Sequence, residues 1–192
     1  MNDEAFAAAL QVMDALQELD IPCFIGGSLA SAVFGIPRST IDADLVARMD
    51  EPRVQPLVQL LGGEFYSDTS AILEAVHQRS CFNLIHLPTM MKVDVFVPKD
   101  RAFDQEQLRR TILKRVAPGS ERRVRFCSPE DTVLAKLEWY RLGGQVSDRQ
   151  WNDILGVLKV QGGDLDKEYL RKWATALGVV DLLDKALSDA LE

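Results

Sequence analysis

The chain has 192 residues, of which 47% are hydrophobic and 27% charged, and it carries a net charge of −7. This composition is typical of a globular protein with enough apolar residues for a core without disulfides. The three cysteines are scattered singly and include no C-x-x-C pair, so they indicate neither a disulfide framework nor a thiolate zinc site. We therefore expect a reducing, cytoplasmic environment.

Neither a signal peptide nor a membrane span is predicted. The N-terminal segment begins with acidic residues rather than a basic region, and a signal peptide would need the basic region. The longest uncharged run, residues 21–37, is interrupted by two glycines and is shorter than the ~20 apolar residues that a membrane-spanning helix needs. We expect a soluble protein without a membrane partner.

The charge is distributed unevenly along the chain. Residues 99–125, called the basic segment below, contain nine lysines and arginines and four acidic residues, a net charge of +5, so the remainder carries −12. One interpretation is a solvated helix face and hairpin. The other is a patch for the phosphates of a substrate or an RNA.

The N-terminal part of the chain predicts helices that alternate with short strands. Apolar residues at three- and four-residue steps predict a helix over 3–19, which Pro22 ends before a buried strand at 23–25. We further predict a helix over 28–34, a strand over 42–47 and a helix over 52–61. Strands near 81–87 and 92–98 then flank a turn at Pro88–Thr89, and a helix covers about 104–115.

The C-terminal part predicts a hairpin followed by helices. Residues 116–126 read as a hairpin that turns at Pro118–Gly119. Ser128, Pro129 and two following acids are typical of a helix start, and apolar stripes predict helices from there to the end. We therefore expect an α/β (α+β) fold: a mixed α/β core over residues 1–127 and a C-terminal helical bundle over 128–192.

A glycine–serine stretch, Gly26, Gly27 and Ser28, lies between a predicted strand and the start of a predicted helix. Glycines let the backbone approach a ligand closely, and the N-terminus of a helix favours an anion such as phosphate. The stretch matches neither G-x-G-x-x-G, nor the P-loop, nor a nucleophile elbow. Since strand-to-helix turns also need glycine for steric reasons, a structural role stays open.

Asp42 and Asp44 alternate on a predicted strand. Residues two apart on a strand share a face, so the two carboxylates repel each other unless a cation lies between them. An EF-hand loop is excluded because apolar and basic residues would occupy its ligand positions. The pattern favours a metal site, and the structural alternative is that Asp42 caps a turn while Asp44 pairs with Arg38 or Arg48.

Asp94 interrupts a strongly apolar strand, where it alternates with Val93, Val95 and Val97. A carboxylate in such a strand is costly without a partner. Three carboxylates on adjacent strands can hold two divalent ions, the arrangement that orients a triphosphate and activates an attacking hydroxyl. The sequence therefore predicts that Asp94 joins Asp42 and Asp44 in a metal site.

Together these motifs resemble the nucleotidyltransferase superfamily to which DNA polymerase beta belongs. Within it they are most similar to the abortive-infection type, which includes toxins of some bacterial toxin–antitoxin pairs. The resemblance implies a mixed sheet flanked by helices, two Mg²⁺ ions (with Mn²⁺ as an alternative), and transfer of a nucleoside monophosphate from an NTP. The matching residues are Gly26, Gly27, Ser28, Arg38, Thr40, Asp42, Asp44 and Asp94.

The resemblance also implies roles for individual residues. Asp42 and Asp44 would ligate the metals, and Asp94 would complete the site and act as, or assist, the base. The toxins carry a further lysine and aspartate, for which Lys136 and Asp153 are the candidates, although Asp153 could equally be a solvated residue. The residues expected to bind the nucleotide are Gly26, Gly27, Ser28, Arg38, Thr40, Lys136 and Asp153.

The sequence leaves the acceptor open. A small molecule such as an antibiotic would need a pocket built by the C-terminal helices, an RNA end would need the basic segment to face the cleft, and a protein hydroxyl is a third alternative. A toxin would also have a cognate antitoxin as partner. The competing hypothesis is a non-catalytic nucleotide- or partner-binding module on the same fold, against which the presence of all three aspartates speaks.

Overall fold

The computed structural model describes residues 3–40, 42–116 and 120–191. The strands are β1 (Cys23–Ile25), β2 (Asp42–Ala47), β3 (Phe65–Tyr66), β4 (Cys81–His86), β5 (Met91–Phe96), β6 (Ile112–Arg115) and β7 (Arg123–Phe126). The α-helices are α1 (Asp3–Glu18), α2 (Gly27–Phe34), α3 (Val54–Leu61), α4 (Thr69–Gln78), α5 (Ala102–Arg109), α6 (Pro129–Leu142), α7 (Asp148–Gln161), α8 (Lys167–Leu177) and α9 (Val180–Asp189). Short 3₁₀ helices span Glu51–Arg53, Gly62–Glu64 and Gly162–Asp164. None of the helices in these residues is both long and apolar enough to cross a bilayer.

The chain divides into two compact units. The first comprises Met1–Leu29 and Ser39–Phe126 and contains the sheet, α1 and α3–α5. The second comprises Ala30–Arg38 and Cys127–Glu192 and contains α6–α9, while α2 begins in the first unit and ends in the second. The second unit thus includes Ala30–Arg38 besides the C-terminal helices, and the division into domains 1–127 and 128–192 stays a prediction.

The strands of the first unit form one mixed sheet in the order β3-β4-β5-β2-β1-β7-β6. Strand β2 runs parallel to β5 and antiparallel to β1, and β7 runs parallel to β1. Strand β4 pairs antiparallel with β3 and β5, and β6 pairs antiparallel with β7. The expected mixed sheet is confirmed, and its order places β2, which carries two of the aspartates, beside β5, which carries the third.

One face of this sheet forms the core of the first unit. Helix α1 packs on β1, β2 and β5 and buries Met13 and Leu16 completely. From the sheet, Val93 and Val95 are fully buried, and Phe126 stacks on α1 through Phe6 with ring centroids 6.5 Å apart. Burial of each such side chain contributes about 1.5–3 kcal/mol, so the register of the sheet is fixed by its apolar face.

The helix predicted over 104–115 is wrong in its second half. Helix α5 ends at Arg109, and Ile112–Arg115 instead form β6, paired with β7. The hairpin continues beyond the strand, since the N–H of Val116 donates to the carbonyl of Arg122 at 3.0 Å. The pairing with β7 gives these residues their backbone hydrogen bonds. The predicted turn at Pro118–Gly119 lies outside the described residues.

Neither helix α4 nor the short strand β3 is among the elements predicted from the sequence. The Asp68 carboxylate caps α4 by accepting the N–H groups of Ser70 and Ala71 at 2.9 and 3.1 Å. The helix ends at Gln78, and Arg79, which follows it as the C-cap, adopts φ 51°. An aspartate before Thr-Ser and an apolar stripe is an N-cap signal, so the sequence did contain the information for this helix.

The second unit is helical, as the apolar stripes predicted. Side-chain caps begin three of its helices: the Ser128 hydroxyl accepts the N–H of Asp131 at 3.1 Å, and Ser147 and Asp166 do the same for α7 and α8. Helix α6 packs against α7 and α8, and α7 against α9. The Tyr169 hydroxyl donates to the buried Asp131 carboxylate at 2.6 Å, so a polar contact ties α8 to α6.

Glycines allow two segments of the second unit to approach closely. A Cβ at Gly35, just after α2, would lie 2.7 Å from the backbone nitrogen of Val157 on α7. On the other side, a Cβ at Gly156 would lie 3.2 Å from the backbone nitrogen of Ile36. Because the neighbours are backbone atoms, they cannot move aside as a side chain would, and this crossing depends on the absence of a side chain at Gly35.

Candidate active site

The three predicted carboxylates leave the same face of the sheet. In the parallel pairing of β2 with β5, Asp44 lies beside Asp94, and Asp42 lies beside Lys92. Residues two apart on a strand share a face, and neighbouring strands are about 4.8 Å apart. Asp42, Asp44 and Asp94 are therefore neighbours, and we call them the carboxylate cluster.

Alternation with buried apolar residues places the cluster on this face. Ala43 and Leu45 of β2 are fully buried, as are Val93 and Val95 of β5. Since successive side chains of a strand point to opposite faces, burying these residues against α1 turns the aspartates to the other side. There the three are half-buried.

The Asp44 carboxylate lies against the N-terminus of α2. The N–H of Ser28 donates to Asp44 Oδ2 at 3.1 Å. Gly27 has φ 49°, and a Cβ on it would lie 1.8 Å from Asp44 Oδ2 and 2.6 Å from Asp44 Cβ. A Cβ at Gly26, by contrast, would have its nearest neighbours at 3.9 Å. Of the two glycines, Gly27 is therefore the one that the contact with Asp44 requires.

Asp94 has two partners that were not predicted from the sequence. The Lys92 ammonium lies 2.8 Å from Asp94 Oδ2, and the Asn83 amide on β4 donates to Asp94 Oδ1 at 3.4 Å. The hydrogen bond to Asp94 raises the pKa of Lys92, and the charges of Asp94, Asp42 and Asp44 act in the same direction against the effect of burial. The period-two pattern could have revealed Lys92, because it precedes Asp94 by two residues.

The negative charge of the cluster also reaches a cysteine. Cys81 lies at the start of β4, opposite Phe96 at the end of β5. Cys81 is exposed as a residue, but partial burial of its thiol raises the pKa of Cys81 to about 12, and the charges of Asp94 and Asp44 add to the effect. The thiol is therefore protonated at neutral pH, and its pKa depends on the charge of the carboxylate cluster.

Thr40 supports the start of β2. Its hydroxyl donates to the backbone carbonyl of Asp42 at 3.0 Å, and the residue is buried. This contact fixes the backbone at the first carboxylate. The role of Thr40 in binding a nucleotide stays a prediction.

Arg38, Lys136 and Asp153 meet in the second unit, and we call them the ion-pair cluster. Arg38 binds Asp153 through two hydrogen bonds of 2.6 and 2.7 Å, and Lys136 binds it at 2.8 Å. Only 5% of the Asp153 side chain and 10% of the Lys136 side chain is exposed. The alternative that Asp153 is a solvated residue is therefore wrong.

The two cations determine the charge state of Asp153. Burial by itself raises the pKa of this carboxyl, but the hydrogen bonds and charges of Arg38 and Lys136 outweigh burial and hold the pKa below its ordinary value. With two cations and one anion, the ion-pair cluster keeps a net charge of +1, which suits a phosphate. Its part in nucleotide binding, implied by the sequence resemblance, stays a prediction.

The carboxylate cluster has the donor chemistry of a magnesium site. Carboxylate oxygens are the ligands that Mg²⁺ prefers, and the strand register offers three of them side by side. Within residues 3–40, 42–116 and 120–191, however, no group of three His, Cys, Asp or Glu side chains is arranged so that it could hold a metal ion. The Lys92 ammonium and the Ser28 N–H instead take up carboxylate oxygens. The donor set of the cluster has the chemistry of a metal site, and the two-ion site stays a prediction.

Part of the basic segment is neutralised by local ion pairs. Arg101 pairs with Asp104 at 2.7 Å, and Arg109 pairs with Glu106. Arg122 reaches Asp14 on α1 at 2.6 Å. These arginines therefore match the interpretation of a solvated surface rather than a phosphate patch.

Three further arginines of the hairpin share the face of the carboxylate cluster, and one of them, Arg115, lies 3.9 Å from the carboxylate of Glu121. Ile25 pairs with both Leu45 and Phe126, and all three belong to the buried face. Arg123 and Arg125 alternate with buried residues, so they leave the sheet on the opposite face, the face of the aspartates. Arg115 lies beside Arg123 in the register. We call the exposed residues Arg115, Arg123 and Arg125 the arginine strip.

Comparisons with known proteins identify the fold. Neither the protein-family models nor the curated protein sequences include a match to this chain. Among solved structures, the antibiotic-resistance factor ANT(2'')-Ia in solution is similar, with a TM-score of 0.57, 16% identity and 92% of each chain covered. In its crystalline complex with adenylyl-2''-tobramycin the TM-score is 0.55, with 17% identity over 90% of this chain and 95% of that one.

A third similar structure is an antigenic nucleotidyltransferase-like protein from Paracoccidioides brasiliensis. Its TM-score is 0.50, with 20% identity over 97% of this chain and 93% of that one. These likenesses show that the chain has the nucleotidyltransferase fold, as the sequence resemblance implied. None of the three structures is described as a toxin, so the abortive-infection subtype stays a prediction.

Proposed function

We propose that the protein is a metal-dependent nucleotidyltransferase, which transfers a nucleoside monophosphate from an NTP to a hydroxyl acceptor and releases pyrophosphate. The carboxylate cluster carries this proposal, because it combines Asp44 and Asp94 in register on parallel strands with a helix N-terminus in contact with Asp44. The fold supports it further, since ANT(2'')-Ia has the same fold and was crystallised with a molecule that bears an adenylyl group.

In the proposed reaction, the acceptor oxygen bonds to the α-phosphorus while the bond from that phosphorus to the pyrophosphate breaks. Bound divalent ions would stabilise the charge that develops on the phosphate oxygens and make the acceptor hydroxyl more acidic. Asp42 and Asp44 would hold these ions at positions fixed by β2. Asp94 would complete the site and take the proton of the acceptor hydroxyl.

The glycine turn would hold the triphosphate. The N–H groups in the first turn of a helix and the helix dipole attract an anion, and the Ser28 hydroxyl can donate a further hydrogen bond. Gly27 lets α2 begin directly against Asp44. In this proposal the helix end that binds the triphosphate and a carboxylate that holds a metal would lie side by side, as nucleotidyl transfer requires.

The arginine strip favours an acceptor that is rich in phosphate, such as an RNA. Only β1 separates β7 from β2, so the strand that carries Arg123 and Arg125 is about 10 Å from the strand that carries Asp42 and Asp44. Arginine binds phosphate through two parallel hydrogen bonds. An RNA whose terminal hydroxyl lies at the cluster would place its adjoining phosphates near these guanidinium groups.

A small-molecule acceptor is the second candidate, and the likeness to an antibiotic-resistance factor favours it. An acceptor of this kind would not need the arginine strip. A protein hydroxyl, a toxin role and a cognate antitoxin rest on the sequence resemblance alone.

The test uses each of the four NTPs labelled at the α-phosphate, incubated with Mg²⁺, a bacterial extract and the protein. Asp42→Asn/Asp44→Asn is the inactive variant, and Glu64→Gln/Glu168→Gln is the control in which two exposed acids become amides. We expect label in RNA with the wild type and the control, and none with the aspartate variant. Transfer by Asp42→Asn/Asp44→Asn would refute the mechanism.

Two other results would change the assignment. Label in a small molecule, with none in RNA, would mean that the acceptor is a small molecule, and it would still support the transferase activity. Binding of Mg²⁺–NTP in a thermal-shift titration, without transfer from any NTP, would favour the non-catalytic module. The Lys136→Ala variant tests the ion-pair cluster separately: we expect a raised KM for the NTP with unchanged metal affinity.

A further inference from the structure

The carboxylate cluster includes a cation supplied by the chain itself. Lys92 lies beside Asp42 in the register and two residues before Asp94, so its side chain leaves the sheet on the face of the cluster. Its ammonium lies 2.8 Å from Asp94 Oδ2. The lysine side chain is 42% exposed and that of Asp94 only 15%, so the ammonium approaches a sheltered carboxylate from the solvent side.

This ammonium offsets repulsion that the strand pairing creates. Asp44 and Asp94 lie directly beside each other on β2 and β5, and like charges on adjacent strand positions destabilise a sheet. Other donors contribute, namely the Asn83 amide to Asp94 and the Ser28 N–H to Asp44. Neither of these donors carries a full positive charge. Lys92 thus brings a full positive charge to the cluster.

A divalent ion bound by Asp94 would compete with Lys92 for the carboxylate of that residue. Two cations bound to one oxygen repel each other strongly when they are only partly exposed to water. The Lys92 side chain can move away from Asp94, because its ammonium is carried on a flexible four-carbon stem and the side chain is partly exposed to solvent. Metal and ammonium are therefore alternative partners of Asp94 Oδ2.

We propose that Lys92 is an internal counter-ion, which holds Asp94 while no metal is bound and which a divalent ion must displace. The inference rests on the proposed function, since it assumes that the carboxylate cluster binds metal. Lys92 is in this sense a positioning residue: it keeps Asp94 in place and weakens the affinity for metal. Removing its charge should tighten metal binding, the opposite of what removing a ligand would do.

The experiment measures Mn²⁺ binding without nucleotide, by the electron paramagnetic resonance signal of the free ion. Lys92→Met keeps the length of the side chain and removes its charge, and Lys92→Arg keeps the charge. Lys99→Met removes one charge from an exposed lysine in the following loop, so it controls for net charge. We expect about tenfold tighter binding for Lys92→Met, equivalent to 1.4 kcal/mol, and changes within about twofold for the other two.

Thermal unfolding in a chelator gives a second readout. We expect Lys92→Met to unfold at a lower temperature than Lys99→Met, because the carboxylates lose their counter-ion. We also expect added Mn²⁺ to raise the unfolding temperature of Lys92→Met more than that of Lys99→Met. If Lys92→Met does not fold, Lys92→Gln provides the same comparison. A purely structural ion pair would lower the unfolding temperature without any gain in metal affinity.

The outcomes separate this inference from the proposed function. Mn²⁺ affinity that is unchanged or weaker in Lys92→Met overturns the inference, and so does a lack of binding in every variant. If wild-type protein nevertheless transfers label from an NTP, the proposed function stands without the counter-ion. If Lys92→Met binds Mn²⁺ more tightly but the wild type transfers no label, the counter-ion role of Lys92 is supported and the proposed transferase activity is refuted.

Discussion

Replacing Gly27 by alanine tests whether Asp44 is fixed by the start of α2. The backbone at Gly27 has φ 49°, a conformation that costs an L-residue about 1–2 kcal/mol. The new Cβ would lie 1.8 Å from Asp44 Oδ2 and 2.6 Å from Asp44 Cβ, so rotating the carboxylate cannot relieve the overlap. Loss of the hydrogen bond from Ser28 to that carboxylate costs a further ~1.5–3 kcal/mol. We expect Gly27→Ala to lower the free energy of unfolding by about 3–5 kcal/mol.

Urea unfolding followed by circular dichroism measures this change in the whole chain. Tryptophan fluorescence would not suffice, because Trp139, Trp151 and Trp173 all belong to the second unit. Gly26→Ala is the matched control: its Cβ would make ordinary contacts at 3.9 Å, so we expect a loss below about 1 kcal/mol. Equal losses in the two variants would refute the reasoning. A Gly27→Ala/Asp44→Gly double variant should recover the steric part of the loss.

Three further predictions concern charge and packing. The depressed pKa of Asp153 means that its contribution to stability is complete above the ordinary value of 3.8 and disappears as the pH falls below it. Asp153→Asn should therefore lower the free energy of unfolding by about 3 kcal/mol at neutral pH. Urea titrations should show that this difference from the wild type shrinks below pH 3.8, and a difference that does not change with pH would contradict the prediction. Gly35→Ala should lower the unfolding temperature, because its Cβ would lie 2.7 Å from a backbone nitrogen of α7, and differential scanning calorimetry that shows no change would argue against that crossing. Asp94→Asn should lower the pKa of Cys81 from about 12, so iodoacetamide should alkylate Cys81 faster at pH 9, and an unchanged rate would mean that Asp94 does not act on the thiol.

The sequence by itself determined which side of its strand each carboxylate occupies. Asp94 alternates with Val93 and Val95, and Asp42 alternates with Ala43. Because a strand has a period of two residues, burying the apolar set fixes the polar set on the other face. The same local rule would have placed Lys92 beside the cluster. Capping residues such as Ser128 likewise mark a helix start within a few residues.

Only the tertiary structure decided which strands and helices are neighbours. Strand β5 could have lain anywhere in a mixed sheet, and its pairing with β2 is what joins Asp94 to Asp44. The partners Arg38 and Asp153 are 115 residues apart, so no local pattern could tell a buried ion pair from a solvated aspartate. Residues 112–115 followed a helical pattern, yet they form a strand because β7 offers them hydrogen bonds. Local periodicity determines which face of an element is buried, whereas long-range hydrogen bonding and charge pairing determine which other elements it pairs with or packs against.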